Sequence, residues 1–196
     1  MHMNLSDSIK SRRSIRRYKQ KQVDDKLLTD LVDSARFAPS GGNMQHLRYV
    51  VVRTPENVKK VFELTGWGGH VRPKRSPVWG KDAPAAFIAV IAPAEVAKSL
   101  RHLHGDAGAA IQNILLKAVE LGLGTCWIGN FKEENVSPVI GLGADMKTLY
   151  LVAVGYPDES PVQENIGSSD STKYFLDEKD VLHVPKFKVD AIVTWK

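Results

Sequence analysis

The sequence predicts one layered domain of the α/β or α+β kind, and three observations point there. The chain has 196 residues, enough for a single domain with a full hydrophobic core. Apolar runs of strand length are separated by amphipathic stretches of helix length. No internal repeat, low-complexity segment or Ser/Gly linker divides residues 1–196.

A short helix is predicted over residues 5–11. A second runs over 24–37: Asp24 caps it, Leu27, Leu28, Leu31, Val32 and Ala35 line one face, and Pro39 ends it. The valine run within 47–53 reads as a strand. Thr54-Pro55 opens the next helix with a cap followed by proline, and Gly66 stops it. Residues 66–82, GWGGHVRPKRSPVWGKD, form a long irregular stretch with two tryptophans and four cationic residues. Loops of this length in compact domains cover a site or are mobile, and both readings stand. Residues 85–92 read as a buried strand and 95–103 as a helix. The strongest helix is 106–121, where Ala110, Ile111, Ile114, Leu115, Ala118 and Val119 predict burial nearly all round. Strands follow at 125–128 and 148–155. After Tyr156 the chain is polar, then partly apolar again from Val181.

Composition excludes several classes. The 43% hydrophobic and 25% charged fractions are those of a globular protein. No apolar run reaches the ~18 residues of a membrane span. The N-terminus lacks the apolar segment of a secretory signal, and a single cysteine, Cys126, forbids an internal disulfide; a reducing, cytoplasmic setting is expected. The net charge of +5 comes largely from residues 10–21 and 72–81. A basic nucleic-acid-binding protein is the reading from another class, but neither stretch lies in a recognisable module, and nucleotides attract such clusters equally well.

Common catalytic signatures are missing. There is no G-x-x-x-x-G-K-[ST], H-E-x-x-H, G-x-S-x-G or C-x-x-C. Gly122 and Gly124 follow a helix instead of a strand, so they read as its end and not as a dinucleotide fingerprint. His102 and His104, two apart, make a poor metal pair. Cys126 sits in an apolar strand and reads as a small core residue.

Two segments carry chemistry. Arg12-Arg13-Ser14-Ile15-Arg16-Arg17-Tyr18 offers guanidinium forks and a hydroxyl, groups that fit phosphate oxygens. Pro39-Ser40-Gly41-Gly42-Asn43-Met44-Gln45 joins small residues, which let a ligand approach the backbone, to amides that donate and accept. A solvated basic run and an ordinary turn are the plain alternatives.

Together these segments resemble the nitroreductase family, which begins with R-[RH]-S-x-R-x-[FY] and continues about 25 residues later with A-P-S-x-x-N-x-Q. The buried helix followed by Gly122-Leu123-Gly124-Thr125-Cys126-Trp127-Ile128-Gly129 is a third match, and Val154-Gly155-Tyr156-Pro157 a fourth. The resemblance implies an α+β sandwich, a mainly antiparallel sheet between helices, in an interwoven homodimer with FMN in each interface cleft. It implies that Arg12, Ser14 and Arg16, with Arg13 beside them, hold the phosphate and part of the ring. Pro39, Ser40, Gly41 and Asn43 are expected to approach FMN from the opposite subunit, with Gln45 supporting that loop. Ile128 and Gly129 are expected against the flavin, and Lys173 at the phosphate. Three departures stand out: His46-Leu47 replaces a common Pro-Trp, Phe175 stands where a late arginine is common, and Gly129 where one branch has an acid.

The implied activity is hydride transfer from NAD(P)H through FMN to a small oxidised acceptor (a nitroaromatic, quinone or enone), with the two substrates using the same space in turn. A dedicated metabolic dehydrogenation or a flavin-fragmenting reaction is the alternative within the family. No catalytic side chain is expected. Trp67 and Trp79 are expected to stack on a flat acceptor, and Arg72, Lys74, Arg75 and Lys81 to attract the phosphates of NAD(P)H. The segment 181–196, with apolar residues alternating around Val184, Phe187, Val189 and Ile192, suits a strand added to the partner, or a tail within its own subunit.

Overall fold

A four-stranded sheet organises this computed structural model, which describes residues 4–100 and 102–196. Its strands are β1 (Arg48–Val52), β2 (Ala86–Pro93), β3 (Gly124–Ile128) and β4 (Met146–Gly155). The order is β1-β2-β4-β3, with every neighbouring pair antiparallel. Val50 faces Ala89, Ile88 faces Val152, and Cys126 faces Ala153. β2 and β4 lie in the middle and are buried on both faces, which is why they read as continuous apolar runs.

Alternation along these strands feeds two cores. On one face Ile88, Val90, Val152 and Val154 pack against α2 (Asp25–Ala35) and α5 (Leu103–Glu120) through Leu28, Leu31, Ile111 and Ile114. On the other, Phe87, Ala89, Leu151 and Ala153 pack against α3 (Pro55–Glu63) and α6 (Glu133–Val139) through Val58, Val61 and Val136. The expected α+β sandwich is present. α1 (Leu5–Ser11) packs on α5, and α4 (Ala94–Ser99) follows β2 directly.

Local rules place most boundaries. Asp24 caps α2 by accepting from the Lys26 N–H at 2.7 Å. α5 ends where Gly122, at φ +70°, lets the Leu123 N–H reach the Ala118 carbonyl at 2.7 Å. Other expectations need correction. Gly66 does not stop α3, which ends at Glu63; the Gly66 N–H donates instead to the Asn130 carbonyl at 2.8 Å. The stretch read as one helix over 95–103 contains Arg101, outside the described residues; α4 stops at Ser99 and α5 starts at Leu103. α5 is not buried all round within one chain, since Gly105 and Gln112 are exposed. α6 was not expected, because Pro138 inside it and a charged start mask its short apolar face.

Residues 66–82 are not a free loop. Trp67 is only 6% exposed and sits in the second core, its ring 5.9 Å from Phe62 and 6.5 Å from Phe87. Trp67 therefore does not stack on an acceptor. Arg75 is also buried, paired with Glu159 at 3.2 Å, and so is not available to NAD(P)H. Burying a large ring is favourable, whereas a buried guanidinium is tolerated only with a partner, which Glu159 supplies to Arg75.

The polar tail also folds. β5 (Val162–Ile166), β6 (Phe175–Leu176) and β7 (Leu182–Phe187) form a small sheet of order β5-β7-β6. For the 181–196 segment, read as a strand added to a partner or as a tail within its own subunit, β7 pairs within its own chain. Beyond it Val189, Ile192 and Trp195 are exposed.

Candidate functional site

The arginine run lies along the outer edge of β3. The Arg12 N–H closes α1 by donating to the Ser8 carbonyl at 3.0 Å. Ser14 bridges to Thr125, and the Ile15 N–H donates to the Thr125 carbonyl at 2.8 Å. A side chain at Gly124 would put its Cβ 2.8 Å from Ile15, so glycine is what lets the run lie this close. The buried Tyr18 hydroxyl donates to the Ile15 carbonyl at 2.6 Å, and burial raises its pKa well above the ordinary value. The turn is thus held by backbone bonds and packing, and its guanidinium groups are left for other uses.

Those groups divide into two sets. Arg13 donates to Gln163 of β5 at 2.6 Å and to the Arg12 carbonyl at 2.6 Å. Arg17 pairs with Asp180 at 2.9 Å and lies 3.6 Å from Asp82. Arg12 and Arg16 have no carboxylate within 4.0 Å of their guanidinium groups among the described residues. Arg12 is half-buried, and that burial lowers its pKa. Arg16 lies over the Tyr174 ring, 5.1 Å from its centroid. Lys173, the residue before Tyr174, is exposed. Phe175 stacks on His183 at 4.9 Å and serves the small sheet, which accounts for an aromatic where the family often has a cation.

Residues 39–45 form a tight loop at the start of α5. Asp106 holds it, accepting from the Ser40 hydroxyl at 3.1 Å and the Gly41 N–H at 3.1 Å. Ser40 Oγ in turn accepts from the Gln45 N–H at 3.0 Å, and the Gln45 amide donates to Asn43 Oδ1 at 3.2 Å. Ser40 therefore shapes the loop with both capacities of its hydroxyl. Gly42, Asn43 and Gln45 all have positive φ, a strained path that these bonds over-determine. Pro39 is exposed and, with Ser40, Gln45, Arg48, Tyr49 and Asp106, lines an open cleft. His46 follows with its Nε2 buried and unpartnered.

Within one chain these two elements stand apart. The loop docks at Asp106, near the start of α5, whereas the cleft beside Arg13 and Ile15 includes Val119 and Leu123, at its other end. At 1.5 Å per residue the 13 residues from Asp106 to Val119 span about 20 Å.

At the end of β3, Ile128 turns its side chain into the second core. Its side chain is therefore not an apolar face for a ligand within this chain. Gly129 follows and is exposed. Trp127 points the other way, partly exposed, with its ring edge-on to Tyr150 at 5.1 Å; the Tyr150 hydroxyl lies 3.1 Å from His104 Nδ1. Cys126 is buried and its thiol pKa is pushed up by desolvation, which disfavours the thiolate.

A family model described as the nitroreductase family matches residues 9–156, the span from α1 through β4 that builds both elements. The chain belongs to the nitroreductase family. A relative from Methanothermobacter thermautotrophicus, provisionally named NADH dehydrogenase/NAD(P)H nitroreductase, is 31% identical over 163 residues, covering 81% of this chain and 80% of its own. A provisionally named nitroreductase of Desulfovibrio desulfuricans, solved in complex with FMN, is 27% identical with a TM-score of 0.67, covering 84% of this chain and 92% of its own. An FMN-dependent nitroreductase of Clostridium difficile R20291 is 27% identical with a TM-score of 0.63, over 78% and 87% of the two chains.

Sequence reasoning missed the residues that hold these two segments in place. Asp106 read only as the start of a helix, Tyr174 as part of a polar tail, and Glu159 carried no signal at all. Their roles depend on contacts between segments far apart in the chain.

Proposed function

We propose that this protein is an FMN-dependent oxidoreductase that passes hydride from NAD(P)H to a small oxidised organic acceptor such as a nitroaromatic, quinone or enone. The observation that carries this reading is the pair of guanidinium groups, Arg12 and Arg16, with no carboxylate within 4.0 Å among the described residues, on a turn pinned to the sheet edge of a nitroreductase-family chain. A half-buried cation is costly until an anion joins it, and a guanidinium fork matches phosphate. The donor set thus fits an FMN phosphate: Arg12, Ser14 and Arg16, with Lys173 beside them and Arg13 bracing Gln163. The FMN complex of the Desulfovibrio relative supports the cofactor, and the relatives' names support NAD(P)H as donor.

When bound, the flavin supplies hydride acceptance and donation. The chain's own residues bind and orient. In this reading Gly129, exposed at the end of β3 beside the buried Ile128, is where the ring would lie. No protein nucleophile is needed, which agrees with the buried Cys126.

The separation of about 20 Å between the arginine run and the loop supports a composite site. In this reading Pro39, Ser40, Gly41, Asn43 and Gln45 of a second copy complete the cleft. The exposed Gly105 and Gln112 face of α5 and the exposed residues after β7 are where two copies would meet.

The test begins with the purified chain. It should be yellow, and heat should release FMN in equimolar amount, as read by chromatography. FAD, or no flavin after reconstitution with FMN, would overturn the cofactor. NADH or NADPH oxidation against a panel of nitroaromatics, quinones and enones then identifies the acceptor class. Light scattering tests the composite site, since a monomer that retains FMN contradicts it.

A further inference from the structure

Behind the arginine run lies a charged pair that the proposed chemistry does not use. Glu159 follows β4, and its side chain is 3% exposed. Its Oε1 accepts from two successive backbone donors, the Arg16 N–H and the Arg17 N–H, the latter at 3.1 Å. Its Oε2 lies 3.2 Å from Nη1 of Arg75, whose side chain is 5% exposed. Arg75 also donates to the Asp180 carbonyl and lies 3.6 Å from the Asp180 carboxylate.

The physical problem is one of competing demands. A carboxylate is the strongest acceptor for two convergent N–H groups, and here it fixes the backbone from which the Arg16 side chain projects. The same carboxylate is an anion beneath a turn that is to hold a phosphate, and like charges in a poorly solvated place repel strongly. Arg75 resolves this by approaching the oxygen that the turn does not use.

We propose that Glu159 and Arg75 form a positioning pair for the phosphate-binding turn: Glu159 fixes the Arg16–Arg17 backbone, and Arg75 cancels its charge so that Arg12 and Arg16 keep their attraction for phosphate. The inference rests on the FMN reading above. It assigns to Arg75, a member of the basic 66–82 stretch, a part in cofactor retention that it performs without touching the cofactor. It also explains why that stretch is folded against the turn and not free over the cleft.

The experiment compares FMN with riboflavin, which lacks the phosphate, by fluorescence titration of the full chain stripped of flavin, with thermal melting alongside. Glu159→Gln keeps an acceptor for the two N–H groups and removes the charge. It should hold or strengthen FMN affinity, the reverse of simple structural damage. Glu159→Ala removes acceptor and charge together and should bind FMN about 10-fold more weakly than Glu159→Gln, because the two N–H groups lose the acceptor that the amide oxygen still provides. Arg75→Met should weaken FMN about 10-fold and riboflavin by less than about twofold, and the Arg75→Met/Glu159→Gln double variant should recover to within about threefold of the wild type.

Equal losses for FMN and riboflavin across the series, or no recovery in the double variant, overturn the positioning pair. If Arg75→Met does not fold, the two Glu159 variants decide the matter: Glu159→Gln weaker for FMN than wild type, or equal to Glu159→Ala, overturns it. The wild type separates the two readings. Wild type that binds FMN no better than riboflavin removes the phosphate role of Arg12 and Arg16, and with it both readings. Wild type that prefers FMN while the variants lose both flavins in step removes the pair alone.

Discussion

Residues 12–17 and 66–82 are both basic, and they use their cations in opposite ways. In the first, the backbone does the anchoring, and Arg12, Arg13 and Arg16 have no carboxylate within 4.0 Å among the described residues, Arg13 being held instead by Gln163. In the second, side chains do the anchoring: Trp67 fills the core and Arg75 is buried against Glu159. Composition treats the two as equivalent candidates for an anionic ligand. What separates them is whether each cation's partner is already supplied by the protein. An arginine that meets a carboxylate in its own fold is part of the scaffold; one that is half-buried without a carboxylate is a candidate ligand.

The sharpest way to break this comparison is at the tryptophans. Trp67→Ala should destabilise the fold by about 3–5 kcal/mol, because it removes a large ring from the core beside Phe62 and Phe87. Trp79→Ala should cost far less, since Trp79 is 36% exposed and touches Phe62 from outside. Thermal melting of the two variants checks the difference. Equal, small losses would mean that 66–82 is a surface loop after all.

Next in size is the contrast between neighbouring arginines. Arg16→Ala should weaken FMN binding about 10- to 100-fold, the equivalent of one charge-assisted bond of ~1.5–3 kcal/mol, with little change in the melting temperature of the flavin-free protein. Arg17→Ala should do the reverse, costing about 1–2 kcal/mol of stability through Asp82, Asp180 and the Lys74 carbonyl while leaving FMN affinity unchanged. Titration and melting of both variants give the four numbers needed. Similar profiles for the two would erase the division between ligand and scaffold.

The smallest effect concerns the small sheet that touches both regions, through Tyr174 at Arg16 and Asp180 at Arg75. His183 lies between two carboxylates, with Nδ1 2.6 Å from Glu164 and Nε2 3.1 Å from Asp177. Both ring nitrogens can donate to these carboxylates only in the protonated imidazole, so the arrangement favours that form. The hydrogen bond to Asp177, then that to Glu164, raises its pKa above the ordinary value. Asp177 is lowered in turn, first by the Val181 N–H and then by His183. A raised histidine pKa stabilises the fold fully below the unfolded value of about 6.5 and loses that contribution as pH rises through the folded value. The lowered Asp177 acts at the other end: its contribution is lost as pH falls through its depressed value. Protection of the amides across 175–187, with the intrinsic base catalysis of exchange divided out, should therefore fall as the solution is made alkaline from about pH 6.5, and His183→Gln should remove that alkaline limb. An unchanged limb in the variant would show that the clamp is not what holds the sheet.

By itself the sequence was sufficient wherever a signal is local. The 3.6-residue apolar spacing and the Asp24 cap located α2, the AFIAVIA run located β2, and Gly122 marked the end of α5, because capping, periodicity and positive φ are settled within a few residues. The ordered motifs at 12–18 and 39–45 likewise pointed to the family that the matched model shows. Tertiary structure alone decided the strand order β1-β2-β4-β3, the folding of the polar tail into its own sheet, the burial of Trp67, and which arginines remain without carboxylates. The reason is one of range. Arg75 meets Glu159 and Arg17 meets Asp180 across long stretches of chain, and the energy of a charge depends on which opposite charge the fold places beside it, a quantity that no local window contains.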